Sequence, residues 1–349
     1  MSLTKIFFTG ATGYIGGSVL TRLLHHSQRD FLEITVLTRS SEKAKKFESF
    51  GVKAVVGSYS DHHILQELAT VSDVVFACAD ADDLGAAQAI LAGLKFRHEK
   101  TGNIPILIHT SGTGVLSDNA EGQRSTDIVY HDSDVLQMAS LAPTQIHRDV
   151  DLAILDADAA GFLKAYIVLP STIWGLATGP LFDAGISNPH SIQIPSLIKT
   201  SLARGVAGMV GEGRNMWPNV WIDDVADLYI VLFDYVVANP SYSGHGTDGY
   251  YFGANGEHVL KDVSKAIGEA LVALGKAKTA EPTPFTEEEI QQYFNGSKYL
   301  GSNSRCRADH AKSIGWKPRK TTEDMLASIH AEVESIVKEG ASLENMKLK

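Results

Sequence analysis

A glycine-rich segment near the N-terminus has the spacing of a phosphate-binding turn. Thr9-Gly10-Ala-Thr-Gly13-Tyr-Ile-Gly16 follows an apolar run and opens a segment with helical spacing. Gly10 allows a tight turn, Gly13 a close approach to a pyrophosphate, and Gly16 close packing of the helix on the strand. The phosphates would lie on the amides and positive dipole of the helix N-terminus. This context predicts a dinucleotide site, whereas a tight turn without a ligand is the simpler alternative.

The end of the second apolar run indicates which dinucleotide would bind. A carboxylate there would hold the ribose hydroxyls of NAD, whereas an arginine suits a 2′-phosphate. The sequence reads Val36-Leu-Thr38-Arg39-Ser40-Ser41, and the first acid is Glu42. Arg39 can pair with a phosphate through two nitrogens, and the neighbouring hydroxyls add donors. We therefore predict NADP(H) as the cofactor, with NAD(H) as the alternative.

Short apolar runs alternate with helical segments through the first half of the chain and would position this turn. Each run is rich in branched residues and is followed by Gly, Ser, Asp or Pro, as in strands buried on both faces of a parallel sheet. The alternation predicts an α/β fold with a Rossmann-type doubly wound parallel sheet and a smaller, mostly helical C-terminal substrate lobe. The predicted strands are Ile6–Thr9, Ile34–Leu37, Ala54–Val56, Val74–Ala77, Ile106–Ile108 and Tyr166–Leu169.

The composition changes after Pro170. Residues 176–220 are rich in Gly, Pro, Asn and Ser and predict a long loop region with one helix near Ile198–Arg204. Asp223–Val237 predicts a helix, and Tyr250–Gly253 a further strand. We therefore expect the nucleotide-binding domain to span 1–175, with 221–253 returning to it. The substrate lobe is expected to comprise 176–220 and 254–340, and 341–349 to form a loose tail.

Bulk properties exclude several classes of function. The 349 residues carry a formal net charge of −10, which gives no general attraction to nucleic acid or to an anionic membrane. Two cysteines imply no disulfide framework and fit a reducing compartment. Neither a secretory signal nor a long apolar span is recognisable, so we expect a cytoplasmic protein. The oligomeric state stays open, with a homodimer as one option.

Later motifs agree in order and spacing with one known family. They are Ile106-Leu-Ile-His-Thr-Ser-Gly, Val168-Leu-Pro-Ser-Thr-Ile-Trp-Gly175, Val220-Trp-Ile-Asp-Asp-Val-Ala-Asp227 and Gly315-Trp-Lys-Pro318. With the glycine turn, they resemble the extended short-chain dehydrogenase/reductase superfamily, in its NAD-dependent epimerase/dehydratase-like branch. The resemblance implies a site between a Rossmann domain and a C-terminal lobe. The predicted cofactor-binding residues are Gly10, Thr12, Gly13, Tyr14, Ile15, Gly16, Arg39, Ser40, Ala77, Thr110, Ser111, Pro170 and Thr172.

The catalytic residues of that family are missing. The family uses a serine after the fifth strand and a Tyr-x-x-x-Lys on the next helix; the matching positions are Gly112, Pro143 and His147. Such an atypical member must draw its proton from another group. Histidine changes charge near neutral pH, which makes His147 the first candidate. Tyr130 and Thr113 are candidates for hydrogen-bonding a carbonyl oxygen. For each of the three, an ordinary surface or loop position is the competing interpretation.

Three functions remain open at this point. The first is an NADP(H)-dependent oxidoreductase acting on a small carbonyl or alcohol. The second is an NADP(H)-binding sensor or regulator without turnover, and the third a sugar-nucleotide epimerase or dehydratase. No histidine or cysteine spacing predicts a metal site. Asp80, Asp82 and Asp83 are interpreted as helix-capping residues, and Arg305 and Arg307 as surface arginines rather than substrate contacts.

Overall fold

The computed structural model describes residues 3–242 and 244–340. The predicted loose tail after Gly340 lies outside these residues. In chain order, the strands are β1 (Thr4–Thr9), β2 (Leu32–Thr38), β3 (Lys53–Val56), β4 (Val74–Ala77), β5 (Ile106–Thr110), β6 (Tyr130–His131), β7 (Lys164–Pro170), β8 (Thr172–Trp174), β9 (Gly208–Met209), β10 (Met216–Trp221), β11 (Tyr250–Gly253), β12 (Glu257–Val259), β13 (Thr283–Pro284) and β14 (Cys306–Arg307).

The strands alternate with helices of four to eighteen residues. In chain order these are α1 (Tyr14–Leu24), α2 (Ser41–Glu48), α3 (His62–Thr70), α4 (Leu84–Thr101), α5 (Val135–Ala139), α6 (Arg148–Ala159), α7 (Pro180–Asp183), α8 (Gln193–Arg204), α9 (Ile222–Ala238), α10 (Leu260–Ala273), α11 (Glu287–Phe294), α12 (Asp309–Ser313) and α13 (Thr322–Lys338). No helix in the described part of the chain is long and apolar enough to span a membrane.

A seven-stranded sheet of the order β11-β7-β5-β4-β1-β2-β3 forms the centre of the molecule. All its pairings are parallel. The order reverses between β1 and β4, and the crevice beyond the carboxyl ends of these strands is where such sheets bind ligands. The predicted fold class is therefore confirmed, and each of the six predicted strands lies within a strand of this sheet.

Helices cover both faces of the sheet because right-handed crossovers change face where the strand order reverses. On one side α1 packs on α9, and on the other α3, α4 and α6 pack in series. The edge strand β3 is partly exposed, but β4, β5, β7, β11 and the second half of β1 are almost wholly buried, with Phe7, Phe8 and Phe76 inaccessible to solvent. Their continuous apolar pattern is explained by this burial from both faces.

A second, separate core forms the C-terminal lobe. It is built mainly from one face each of α8, α10, α11 and α13. Beside it lies a small sheet in which β10 pairs with β8 and β12. The prediction of a mostly loop region over 176–220 was wrong at β10, because Pro218 and Asn219 conceal a strand whose residues 217–220 are buried. Leu181 and Ile186, expected in the substrate lobe, belong to the main core instead.

Candidate active site

The predicted glycine turn joins β1 to α1. Gly10 has a φ of 76°, and a Cβ atom there would lie 2.2 Å from the carbonyl oxygen of Cys78, just beyond β4. A Cβ atom on Gly16 would lie 2.2 Å from the carbonyl oxygen of Gly10. Because both distances are far below van der Waals contact, only glycine fits at either position. At Gly13 the same test gives 3.2 Å, so this position is tight but less crowded.

The N-terminus of α1 is open to an anion. Gly13 is its N-cap residue, no side chain caps it, and its first turn contains no acidic residue. The amides of Tyr14, Ile15 and Gly16 therefore lack helical acceptors and add to the positive end of the helix dipole. The Tyr14 hydroxyl donates to the carbonyl oxygen of Gly175, so this side chain is not a donor for an anion at the turn. The backbone of the turn thus fits a pyrophosphate.

A segment far along the chain packs against the glycine turn. The Ser187 hydroxyl donates to the Ala11 carbonyl oxygen at 2.8 Å. The backbone amide of Asn188 donates to the Thr12 carbonyl oxygen at 3.0 Å. Lys43, on α2, donates to the carbonyl oxygen of Ile186 at 2.6 Å. The segment around Ser187 therefore ties the turn to α2, the helix that follows the predicted cofactor-selecting residues.

The end of β2 carries an unengaged cation. Arg39 is exposed, and no hydrogen bond or ion pair of its guanidinium occurs within the described residues. The Ser40 hydroxyl caps α2 by accepting from the Lys43 amide at 3.2 Å. Glu42, the first acid after β2, pairs with Lys46 at 3.1 Å. A phosphate at this edge would therefore meet Arg39 without a competing carboxylate.

The other predicted cofactor contacts lie where strands of the sheet end. Ala77, Thr110 and Pro170 are the last residues of β4, β5 and β7. The Thr110 hydroxyl shares a 2.6 Å hydrogen bond with Tyr229, and the Thr172 hydroxyl donates to Gln193 at 2.6 Å. All are buried, so their backbone atoms and surfaces, rather than free hydroxyls, line this end of the crevice.

His147 stands in front of the end of β5. It is the N-cap of α6 with a φ of 68°, a left-handed conformation that costs a non-glycine residue about 1–2 kcal/mol. Asp82 holds it: one carboxylate oxygen accepts from the His147 amide at 3.1 Å and from its Nδ1 at 2.6 Å. The other ring nitrogen, Nε2, is 3.2 Å from where a Cβ atom on Gly112 would stand. The imidazole thus borders the space that a serine side chain at 112 would enter.

Gly114 brings a second group to the same place. A Cβ atom there would lie 3.3 Å from His147 Nε2 and 2.5 Å from the hydroxyl oxygen of Tyr299. Tyr299 comes from the C-terminal part of the chain, from a short 3-10 turn. We call Asp82, Gly112, Gly114, His147 and Tyr299 together the β5 corner.

Behind the β5 corner lies a buried carboxyl. Asp151 is inaccessible to solvent, and burial raises its pKa to about 7 although Ser111 and nearby positive charge oppose the shift. The Ser111 hydroxyl donates to it at 3.1 Å. His109 is also buried, and burial together with repulsion from His147 lowers its pKa to about 3. His109 is therefore neutral near pH 7, and Ser111 is engaged with Asp151.

The structure does not favour the other two predicted proton donors. The Thr113 side chain is fully buried, and its hydroxyl has no hydrogen-bond partner among the described residues. It cannot reach a substrate without a rearrangement. Tyr130 lies on β6, paired with β14, and its amide donates to the Arg305 carbonyl oxygen. These strands form a separate two-stranded sheet, and in the described part of the chain the Tyr130 side chain makes no hydrogen bond or ring contact with a residue of the β5 corner.

Sequence reasoning missed two members of the corner and explains two other residues only in part. Asp83 caps α4 as predicted, but Asp82 binds His147. Tyr299 had no local motif; its only signal is its place in the lobe that should complete the site. Arg305 and Arg307, interpreted as surface arginines, both form ion pairs with Glu257.

A small cavity lies next to Tyr299. It measures about 20 Å³, which is room for about one water molecule. Trp217, the ring neighbour of Tyr299, and Leu300, the next residue, line it together with the buried His258 and Asn215. A substrate that reaches the corner from this side would have to widen the cavity.

Comparison with known proteins identifies the family. Residues 2–95 match the model of the NmrA-like family. The chain is 30% identical over 330 residues to the oxidase ucsJ of an Acremonium species, covering 90% of this chain and 92% of that protein. The chain belongs to the same family as this oxidase, and its N-terminal region, residues 2–95, is NmrA-like.

Two further similarities differ in how much of the chain they cover and in whether they are of sequence or of fold. A 4-hydroxy-2-methyl-3-oxo-4-farnesyl-3,4-dihydroquinoline-1-oxide ketoreductase of Stigmatella aurantiaca is 25% identical, over 49% of this chain and 51% of its own. The dTDP-glucose 4,6-dehydratase of Bacillus anthracis, solved in complex with NAD, superimposes with a TM-score of 0.62 at 18% identity. That match covers 99% of this chain and 100% of the dehydratase, and at this identity it shows the fold alone.

Proposed function

We propose that this protein is an NADP(H)-dependent oxidoreductase that interconverts a small carbonyl compound and its alcohol. One observation carries the proposal: His147 Nε2 stands beside Gly112, where the family resemblance expects a catalytic serine, and Asp82 holds the ring there. An acid–base group thus faces the end of β5, on the edge of the sheet that also carries the glycine turn.

The glycine turn and Arg39 would hold the cofactor. The amides at the start of α1 would bind the pyrophosphate, and Arg39 the 2′-phosphate that distinguishes NADP from NAD. A structural neighbour that binds NAD supports a nicotinamide dinucleotide of either kind. When bound, the nicotinamide supplies or accepts the hydride, and the protein must orient the substrate and move a proton.

His147 can move that proton in either direction. Its Nδ1–H donates to Asp82, so Nε2 is a proton acceptor in the neutral ring and a donor in the charged ring. In carbonyl reduction, a hydride adds to the carbonyl carbon while the Nε2 proton passes to the oxygen. In alcohol oxidation, Nε2 takes the hydroxyl proton as the hydride leaves the same carbon. Relatives named as an oxidase and a ketoreductase support both directions.

The deciding experiment combines binding and turnover. Purified protein is titrated with NADPH and NADH, and is then incubated with NADPH and a panel of aldehydes and ketones while the nicotinamide absorbance is followed. We expect tighter binding of NADPH and reduction of a subset of the panel. Tight NADPH binding without any turnover would contradict the enzyme and favour a sensor. Equal affinity for the two cofactors would overturn the NADP assignment.

A further inference from the structure

Tyr299 reaches into the β5 corner from the C-terminal lobe. Its hydroxyl oxygen is 2.5 Å from the place of a Cβ atom on Gly114, so only a glycine there leaves room for the phenol. His147 Nε2 is 3.3 Å from the same point. The two atoms are therefore at most about 6 Å apart. They belong to segments that are far apart in the sequence. His147 precedes α6 in the nucleotide-binding part, and Tyr299 lies in a 3-10 turn after α11.

The tyrosine is held in this position by its surroundings. Its ring packs edge-on against Trp217 with the ring centres 5.4 Å apart. The Trp217 indole nitrogen donates to the Ser302 carbonyl oxygen at 2.6 Å, and the Ser302 hydroxyl donates to the Tyr299 carbonyl oxygen at 2.7 Å. These contacts fix the 3-10 turn and leave the phenol little freedom to move.

The Tyr299 hydroxyl is nevertheless unengaged. Among the described residues it has no hydrogen-bond partner, and neither does His147 Nε2. Neither atom is among the fully buried polar atoms that lack a partner. Burial of the ring, with a smaller effect of Asp82, raises the pKa of Tyr299 above its usual value. The phenol therefore keeps its proton and remains a hydrogen-bond donor over the working range of an enzyme.

The separation of the two groups, at most about 6 Å, allows one oxygen atom to contact both. A hydrogen bond to an oxygen spans about 2.8 Å, so an oxygen in contact with both donors needs them somewhat less than 6 Å apart. A carbonyl oxygen there would lie over the backbone of Gly112 and Gly114, at the end of β5. Fixed donors aimed at a developing negative charge are a large source of catalysis.

We propose that Tyr299 is a catalytic residue that, with His147, binds the substrate oxygen at the β5 corner. The assignment rests on the proposed oxidoreductase function. In reduction, the hydride forms the new C–H bond, the carbonyl π pair moves to oxygen, and the Nε2 proton of His147 passes to that oxygen. Tyr299 donates a hydrogen bond throughout and loses no proton. The family's missing side chains are thus replaced by a histidine at the position of the family's lysine and by a tyrosine from the C-terminal lobe.

Turnover of Tyr299→Phe tests this assignment. The variant keeps the ring on Trp217 and removes only the hydroxyl. We expect kcat to fall about a hundredfold, as for the loss of one oxyanion donor, with NADPH affinity within about threefold of wild type. Tyr293→Phe removes a phenol hydroxyl elsewhere in the same lobe and should be unchanged. A Tyr299→Phe enzyme within about threefold of wild-type kcat would overturn the proposal.

A second variant checks the position of the hydroxyl. Gly114→Ala places a methyl carbon only 2.5 Å from the Tyr299 oxygen and must displace it, so it should cost about as much activity as Tyr299→Phe. In the Tyr299→Phe background that space is empty, and the same Gly114→Ala change should cost at most about threefold. Independent, additive losses would contradict a shared position.

Binding of benzoate separates this proposal from the proposed function. Its carboxylate offers the two donors a negatively charged oxygen, and its affinity for the NADP⁺ complex is measurable by tryptophan fluorescence without turnover. We expect Tyr299→Phe to bind benzoate at least about tenfold more weakly than wild type and than Tyr293→Phe. If wild type turns over no carbonyl but shows this difference, the oxidoreductase assignment fails and the oxygen site stands. Equal affinity, or no binding to wild type, would overturn the oxygen site.

Discussion

The glycine turn and the β5 corner lie along the same edge of the sheet but are built in opposite ways. The turn is made by backbone atoms within Gly10–Gly16, and its geometry depends on the absence of side chains. The corner is made by side chains from 82, 147 and 299 that meet over two further glycines. A short segment therefore determines the first region, whereas the second exists only after the whole chain has folded.

This difference explains how the corner can depart from the family pattern while the turn keeps it. In the turn, Gly10 and Gly16 must stay glycine, because a Cβ atom at either position would lie 2.2 Å from a backbone carbonyl oxygen. In the corner, an oxygen or nitrogen can reach the same point from several elements. Gly112 and Gly114 leave space there, and His147 and Tyr299 fill it. The catalytic side chains of the corner can therefore be replaced by side chains from other elements more easily than the phosphate-binding backbone of the turn can be rebuilt elsewhere.

The largest effect is expected in the turn. In Gly13→Val the side chain would project over the amides that receive the pyrophosphate, while its Cβ atom, 3.2 Å from Gly10, is only moderately crowded. We expect NADPH affinity to fall at least about a hundredfold with little change in melting temperature. Calorimetric titration and thermal melting measure both. Normal NADPH binding by this variant would disprove the phosphate site.

The next largest effect is a loss of turnover caused by a change in the β5 corner alone. His147→Gln keeps a polar side chain but cannot transfer a proton, and general acid–base groups contribute about a hundredfold or more. We expect kcat to fall by about that factor, with NADPH affinity within about threefold of wild type. His63→Gln, at a side chain that is 78% exposed, is the matched control. A parallel loss of NADPH binding would show that the two regions are not separable.

A smaller effect tests cofactor choice at the edge of the turn. A charge-assisted hydrogen bond is worth about 1.5–3 kcal/mol, which is roughly tenfold or more in affinity. Arg39→Asp should therefore reduce the preference for NADPH over NADH at least about tenfold. Lys45→Glu, an equal change of charge at an exposed position of α2, should leave the ratio alone. An unchanged ratio in Arg39→Asp would place the 2′-phosphate elsewhere.

The last effect concerns stability rather than activity and arises behind the corner, at Asp151. The pKa of Asp151 is about 7 in the folded protein and about 4 when unfolded, so between these values the unfolded chain has lost a proton that the folded one retains. Stability must then fall as pH rises from about 4 to 7 and stay low above it. Asp151→Asn removes this loss, and we expect a gain of about 2–4 kcal/mol at pH 8 but little at pH 4. Urea unfolding at both pH values checks this; a gain independent of pH would contradict the shift.

The same contrast separates what the sequence predicts from what it conceals. Buried parallel strands have continuous apolar runs, so Val74–Ala77 and its counterparts were recognisable, as was the glycine turn. β10 was not, because Pro218 and Asn219 are typical of loops although they are buried here. His147 was found from its position relative to the family pattern. Asp82 and Tyr299 were not, because their roles depend on contacts across 65 and more than 150 residues.

Transfer of deuterium from the cofactor to the substrate tests most directly whether the glycine turn and the β5 corner form one active site. NADPH carrying deuterium at the reactive C4 position is incubated with a carbonyl compound of the panel that the wild type reduces. The product alcohol is then examined by mass spectrometry and NMR. If the turn places the nicotinamide against the β5 corner, one deuterium appears on the carbinol carbon with wild type and far more slowly with His147→Gln. Bound NADPH without deuterium in any product would contradict this account.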